Sequence, residues 1–116
     1  MDFTDGVSIY GRLASELAQL DVGVLINNVG MSNDGPEPYA EHVEQLVPDL
    51  INCNIMSMAR VTHIVLPAMI RRKKGIIINI GSQSSATSTP LLTLYGATKV
   101  LKISHSHGSQ SIEYLK

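Results

Sequence analysis

The chain has 116 residues, a formal net charge of -1 and a composition that is 44% hydrophobic and 16% charged. These values fit one folded domain with a modest core and argue against a disordered chain. The near-neutral charge gives no broad basic field, so nucleic acid is not a predicted partner. No uncharged apolar run is long enough to span a bilayer. The single cysteine, Cys53, excludes an internal disulfide, and we expect a buried structural thiol.

The first predicted elements are a helix and a strand. Leu13, Leu17 and Leu20 recur at helical spacing and predict an amphipathic helix over Ile9 to Leu20. The run Val22 to Ile26 is short and nearly all apolar, which is typical of a strand covered on both faces of a parallel sheet.

A long helix and a second strand are predicted next. Apolar residues recur at helical spacing from Val43 to Ile70. The basic run Arg71 to Lys74 completes this helix, because cations interact favourably with the C-terminal end of the helix dipole. Gly75 is expected to terminate the helix. The run Ile76 to Ile80 predicts a second buried strand.

The rest of the chain predicts a polar loop and a last helix. Gly81 to Pro90 is rich in serine, and the helix is expected to begin near Thr93 and to include Lys102. Strands that alternate with helices imply a right-handed parallel β-α-β unit. The predicted fold class is therefore α/β, a partial Rossmann-type parallel sheet with helices on both faces. Ligands bind at the C-terminal ends of such strands.

Tyr95 and Lys99 form the strongest chemical pattern. Residues four apart lie on one face of a helix. A free phenol is too weak an acid to exchange protons readily at neutral pH, but a nearby ammonium favours the phenolate. Such a pair can donate a proton to a carbonyl or remove one from an alcohol. The alternative is a half-buried tyrosine beside a surface lysine.

Ser82 strengthens this interpretation. It follows the second predicted strand, with twelve residues between it and Tyr95. A hydroxyl at that place can hydrogen-bond a substrate oxygen and stabilise developing negative charge. The alternative is a serine that caps a turn, and Ser84 and Ser85 are rivals on spacing alone.

Asparagines mark two further candidate positions. Asn27, Asn28 and Gly30 end the first strand, where side-chain amides can bridge to neighbouring strands or line a nucleotide cleft. The alternative is that they are ordinary turn residues, which these residues alone would favour. Asn54 lies inside an apolar helix and needs hydrogen-bond partners, and Asn52 competes with it. The alternative for Asn54 is a residue at a helix kink that bonds backbone carbonyls. The four histidines form no recognised metal spacing, so no metal site is predicted.

Together these residues resemble the short-chain dehydrogenase/reductase family over essentially the whole chain. NNVG at Asn27 to Gly30 is similar to the family's NNAG motif, and Asn54 matches its active-site asparagine. Ser82, Tyr95 and Lys99 match the family's serine and YxxxK pair in order and spacing.

The resemblance is strongest to one branch, which contains 17-beta-hydroxysteroid dehydrogenases and very-long-chain 3-oxoacyl-CoA reductases. The stretches that carry it are NNVGMS, the tetrapeptide Asn54 to Ser57, Leu66 to Met69 and Pro90 to Thr93. Asp2 and Phe3 are similar to the segment after the family's third strand, where an aspartate meets the adenine.

The resemblance implies a role for each matched residue. Tyr95 would be the general acid/base, Lys99 would hold the nicotinamide ribose, and Ser82 would orient the substrate carbonyl. Asn54 would support a proton relay through water. The implied cofactor is NADP or NAD. The residues expected to contact it are Asp2, Asn27, Gly30, Tyr95 and Lys99.

The resemblance also implies substrates, partners and location. A steroid or a 3-oxoacyl-CoA is the expected substrate, and a homodimer is expected through helices at 43–72 and 93–115. The branch suggests the endoplasmic reticulum membrane, with the cytoplasm as the alternative.

The family's glycine-rich pyrophosphate turn and its last strands are absent from the sequence. Residues 1–116 are therefore expected to be the central catalytic segment of one such domain, with weak cofactor binding. Two other hypotheses remain: an inactive truncated isoform that acts as a binding or dimerisation module, and an unrelated α/β domain with chance motifs.

Overall fold

A three-stranded sheet lies at the centre of the computed structural model, which describes residues 1–35, 37–85, 90–100 and 110–115. Strand β1 is Val24–Asn27, β2 is Gly75–Ile80 and β3 is Gln110–Leu115, in the spatial order β1-β2-β3. β1 and β2 are parallel and in register from Val24 opposite Ile76 to Asn27 opposite Asn79. The predicted parallel β-α-β unit and the α/β fold class are confirmed.

The segment before β1 is helical, as predicted, but its regular part is shorter. A 3-10 segment, Phe3–Ile9, leads into helix α1, Tyr10–Leu17. The chain kinks inside the 3-10 segment at Gly6, where φ is 71°, in a region that favours glycine. α1 therefore begins and ends within the predicted range of Ile9 to Leu20.

One continuous helix connects β1 to β2, and it has three parts. Helix α2 is Leu46–Ile51, a π-helical turn follows at Asn52–Met56, and helix α3 is Ser57–Arg72. Pro48 lies in the first turn of α2, where a missing backbone N–H removes no helical hydrogen bond. The predicted helix is therefore present, but its hydrogen bonding changes in the middle.

The helix ends differently from the prediction. Lys73 adopts the left-handed conformation with φ of 51° and terminates α3, so Gly75 is not the terminator. Gly75 instead begins β2, and a Cβ atom there would lie 2.7 Å from Met69 Sδ. The glycine is needed because the strand backbone packs directly against the buried methionine.

The core lies between α3 and one face of the sheet. Val65, Met69 and Ile77 are buried together there. The half-buried side chains packed around them are Leu17, Val22, Leu25, Ile64 and Leu66. On the opposite face of β1, Val24 and Ile26 are 51% and 56% exposed, so the described helices cover one face of this strand.

The helix Leu46–Arg72 is also long and apolar enough to cross a membrane by length and composition alone, with a mean hydropathy of 1.3. A core helix meets the same criterion. Val65 and Met69 of this helix pack against the sheet, while 28% of its most apolar window is buried.

The end of the chain departs from the prediction. Helix α4 is Thr93–Val100, and residues 101–109 lie outside the described residues, including the predicted extension to Lys102. The helix expected at 93–115 is wrong for residues 110–115, which form β3 antiparallel to β2. Ser104 to Ser111 contains no large apolar residue that would give a helix a packing face. Pairing with β3 satisfies the backbone groups along the second edge of β2.

Candidate active site

The two parallel strands end at the same edge of the sheet, and the predicted site residues follow them. Asn27 ends β1, and Ser82 comes two residues after β2. Asn27 is buried, and its side-chain Nδ2 donates to Thr62 Oγ1 at 3.0 Å and to Asn79 Oδ1 at 2.8 Å. The Asn27 amide was expected either to bridge to neighbouring elements or to line a nucleotide cleft. Its N–H groups do the former, since they link the ends of β1 and β2 to α3.

Asn54 lies in the π-helical turn and is fully buried. Its Oδ1 accepts from the backbone N–H of Met31 at 2.8 Å, and its Nδ2 donates to Met31 O at 2.9 Å. The same Nδ2 also donates to Thr98 Oγ1 at 2.9 Å. Asn54 thus links the loop after β1 to helix α4. The competing Asn52 turns elsewhere, since its Nδ2 donates to Thr4 O at 3.5 Å.

Lys99 lies next to Asn54 and Gly30. Its side chain is 5% exposed, and its Nζ lies 5.6 Å from the centre of the Tyr95 ring. A Cβ atom on Gly30 would be 2.3 Å from Lys99 Nζ and 3.3 Å from Asn54 Oδ1. Only glycine leaves this space open for the ammonium.

The loop after β2 packs against the helix that carries Tyr95. A short 3-10 turn, Gln83–Ser85, contacts α4, and a Cβ atom on Gly96 would lie 3.0 Å from Ser84 O. Ser82 Oγ accepts from Ser84 N at 3.3 Å, which fixes the serine at the start of this turn. Ser82 thus directly precedes a turn that contacts the helix of Tyr95, and the backbone oxygen of the rival Ser84 packs against that helix.

Asp2 lies at the beginning of the chain, and its hydrogen bonds are local. It precedes the 3-10 segment Phe3–Ile9, and its carboxylate accepts from Thr4 N at 2.9 Å and from Thr4 Oγ1 at 2.7 Å. The hydrogen bond from the Thr4 backbone lowers the pKa of this exposed carboxyl. The segment contacts α2 and the π-helical turn.

Two residues of the site were not predicted from the sequence. Thr98 contacts Asn54 across the fold, and the only signal was a hydroxyl three residues after Tyr95 on the same helix face. Asn33 is buried, and its Nδ2 donates to Gly35 O at 2.6 Å and to Leu91 O at 3.3 Å. It ties the loop after β1 to the segment before α4, and no sequence pattern indicated this.

Comparison with known proteins identifies the family. A sequence profile for short chain dehydrogenase matches residues 2–109. The chain belongs to the short-chain dehydrogenase family. Its similarity to the very-long-chain 3-oxoacyl-CoA reductase of Mus musculus is 46% identity over 93 residues, which cover 78% of this chain and 30% of that protein. The chain spans about a third of the length of the curated relatives it matches.

Solved structures of short-chain dehydrogenases share this fold. The serine dehydrogenase of Escherichia coli is 29% identical, with a TM-score of 0.76 over 87% of this chain and 47% of that one. A short-chain dehydrogenase from Sphingobium yanoikuyae, solved in complex with NADPH, is 28% identical, with a TM-score of 0.75 over 85% of this chain and 38% of that one. The predicted family and the Rossmann-type fold are confirmed.

Proposed function

We propose that this chain supplies the acid–base centre of an NADP-dependent reductase that reduces the 3-oxo group of a long-chain acyl-CoA. One observation carries the proposal: the fold places the Lys99 ammonium beside Gly30, Asn54 and the Tyr95 ring, on a residue that is only 5% exposed. A buried cation with three N–H donors requires acceptors.

The residues of the site fit a nicotinamide cofactor at this position. Two neighbouring ribose hydroxyls are suitable acceptors for the Lys99 ammonium, and Gly30 leaves the lysine room to reach them. When bound, the nicotinamide supplies the hydride that reduces the carbonyl carbon. NADP rather than NAD is supported by the NADPH complex of the similar protein from Sphingobium yanoikuyae.

The protein's own side chains handle the proton. In this proposal Tyr95 donates its phenolic proton to the carbonyl oxygen, and the Ser82 hydroxyl donates a hydrogen bond to the same oxygen. The Lys99 ammonium stabilises the phenolate that remains. Both amide hydrogens of Asn54 are engaged within the protein, so a relay water would meet Asn54 at an oxygen.

The substrate class rests on the similarity to the mouse 3-oxoacyl-CoA reductase, at 46% identity over 93 residues. A steroid ketone is the rival substrate within the same branch. The endoplasmic reticulum location belongs to the same proposal, and fluorescence imaging of the tagged protein beside a reticulum marker tests it. A uniformly cytoplasmic signal would contradict it.

The proposed assembly is a homodimer through α3 and α4, corrected for the shorter last helix. Met56, Met58, Ile64 and Leu101 are apolar residues of the two helices that could form the interface. Met56 and Met58 are half-buried, whereas Ile64 packs against the core. Leu101 lies outside the described residues. Light scattering at micromolar concentration tests the dimer, and a monomeric mass would contradict it.

The decisive experiment compares two tyrosines. The chain is joined to the flanking segments of the mouse relative to give an extended protein, and NADPH consumption is followed with a 3-oxoacyl-CoA and with a steroid ketone. Tyr95→Phe should lower kcat by roughly 10²–10⁴-fold, the usual contribution of a positioned proton donor, with NADPH affinity nearly unchanged. Tyr39→Phe, at a 55% exposed tyrosine, is the matched control.

Each result has a definite meaning. Loss of turnover in Tyr95→Phe with full turnover in Tyr39→Phe supports the assignment. Equal turnover in both variants would refute the role of Tyr95. Turnover of the steroid but not of the thioester would overturn the substrate and leave the acid–base centre in place.

A further inference from the structure

Thr98 joins two parts of the site that are distant in sequence. Its hydroxyl oxygen accepts from Asn54 Nδ2 at 2.9 Å and donates to the backbone oxygen of Tyr95 at 2.7 Å. Thr98 is 1% exposed and Asn54 is 0% exposed, so solvent has little access to either group. A threonine that bonds back to its own helix is common, but the second bond to a residue 44 positions away is not local.

The backbone of Met31 fixes the direction of every hydrogen bond in this network. Its N–H can only donate and its oxygen can only accept, so Oδ1 of Asn54 must face the N–H and Nδ2 must face the oxygen. The second hydrogen of Nδ2 then points at Thr98 Oγ1, which must accept it. The hydroxyl hydrogen is left for Tyr95 O.

We infer that Thr98 is a positioning residue, whose hydroxyl holds the Asn54 amide against the turn of α4 that carries Tyr95 and Lys99. The inference deepens the proposed function and rests on it for its kinetic consequence. Asn54 Oδ1 lies 3.3 Å from the place of a Cβ atom on Gly30, beside the lysine ammonium. A shift of Asn54 therefore changes the surroundings of the Lys99 ammonium.

Removal of the hydroxyl has a specific chemical effect. In Thr98→Val the side-chain volume is kept, but one Asn54 N–H loses its acceptor in a place that water does not reach. The amide must rotate or move to find another partner, and the Met31 bonds weaken with it. In Thr98→Ser the hydroxyl remains and only a methyl group is lost. Thr98→Ser should therefore retain the hydrogen bond from Asn54 that Thr98→Val removes.

The first test measures the hydrogen bond itself. In the 116-residue chain labelled with ¹⁵N-asparagine, hydrogen exchange of the Asn54 side-chain amide is followed by NMR. We expect protection in the wild type and in Thr98→Ser, and at least tenfold faster exchange in Thr98→Val. An Asn54 amide that exchanges freely in the wild type, or equally in all three proteins, would overturn the inference.

The second test measures catalysis in the extended protein. Thr98→Val should lower kcat by about tenfold and alter its pH profile, with KM for NADPH within about twofold, because small displacements of catalytic groups act mainly on the chemical step. Thr62→Val is the control, since it removes the acceptor of a comparable Asn27 amide bond of 3.0 Å. It should lower the melting temperature without altering the pH profile.

The two tests separate the inference from the proposed function. An inactive extended wild type refutes the reductase proposal, while the exchange measurement still decides whether Thr98 holds Asn54. An active protein in which Thr98→Val keeps the wild-type kcat and pH profile refutes the positioning role and leaves the proposed function intact. Failure of Thr98→Ser to restore kcat would also refute it.

Discussion

Gly30→Ala tests whether catalysis depends on the position of the Lys99 ammonium, because it should displace the ammonium with little effect on the stability of the fold. The added methyl group would lie 2.3 Å from Lys99 Nζ, whereas ordinary contacts begin near 3.4 Å. The ammonium must therefore retreat by roughly 1 Å, and a displacement of this size at a catalytic group costs about 10²-fold in rate. The obstructing atom is the far end of a flexible side chain, so the stability cost should be small.

The assay follows kcat for NADPH consumption and the melting temperature of the extended protein. Gly23→Ala is the matched control, because a Cβ atom there meets nothing within 4 Å. We expect a loss of about 100-fold in kcat for Gly30→Ala, close to 2.7 kcal/mol of transition-state stabilisation, with a melting temperature within a few degrees of the control. Equal kcat in the two variants would refute the reasoning, and so would a large loss of stability in Gly30→Ala alone.

Further predictions concern stability. Gly75→Ala should destabilise the chain by about 1–3 kcal/mol in urea unfolding, because its Cβ would lie 2.7 Å from the buried Met69 side chain. Gly11→Ala, in open space on α1, should instead stabilise the chain by about 1 kcal/mol. A loss of stability in both Gly75→Ala and Gly11→Ala would contradict the packing argument. Tyr10→Phe should be stabilising by about 1 kcal/mol, since the buried hydroxyl has no partner in the described ranges. Burial raises the pKa of Tyr10, partly offset by Arg60, so ionisation does not affect the stability of the wild type below about pH 10. As the pH rises from there through the folded pKa, the wild type should lose stability relative to Tyr10→Phe. Unfolding of wild type and Tyr10→Phe across that range checks this, and parallel pH curves would exclude it.

The strands and helices near the site were largely predictable, because each depends on a local pattern. The apolar runs around Val24 and Ile78 predicted two strands, and helical spacing predicted the connection between them. The expectation that both faces of the first strand are covered was wrong for the described residues, since Val24 and Ile26 are exposed. The π-helical turn at Asn52–Met56 was not predicted, since the same apolar spacing suits α and π hydrogen bonding. β3 was missed because strand pairing depends on contacts with β2, which a local pattern does not contain.

The candidate residues were predictable only where a motif names them. Tyr95, Lys99 and Asn54 stand in patterns that chemistry or family resemblance can recognise. The hydroxyl of Thr98 and the amide of Asn33 act through partners 44 and 58 positions away. Contacts over such separations arise from the fold, so they become visible only when the strands and helices are assembled.

The π-helical turn lets one continuous helix pack against two sets of neighbours that lie in different directions around its axis. Each residue of an α-helix advances by about 100° around the axis, so one extra residue within a turn rotates everything downstream by that amount. α2 directs its contacts to α4 and to the segment around Phe3, whereas α3 directs its contacts to α1 and the sheet. An unbroken α-helix would align one of these faces and misalign the other. The turn that holds Asn54 thus sets the rotation of α3 relative to α2. The position of Asn54 in the site therefore depends on how both parts of the helix pack.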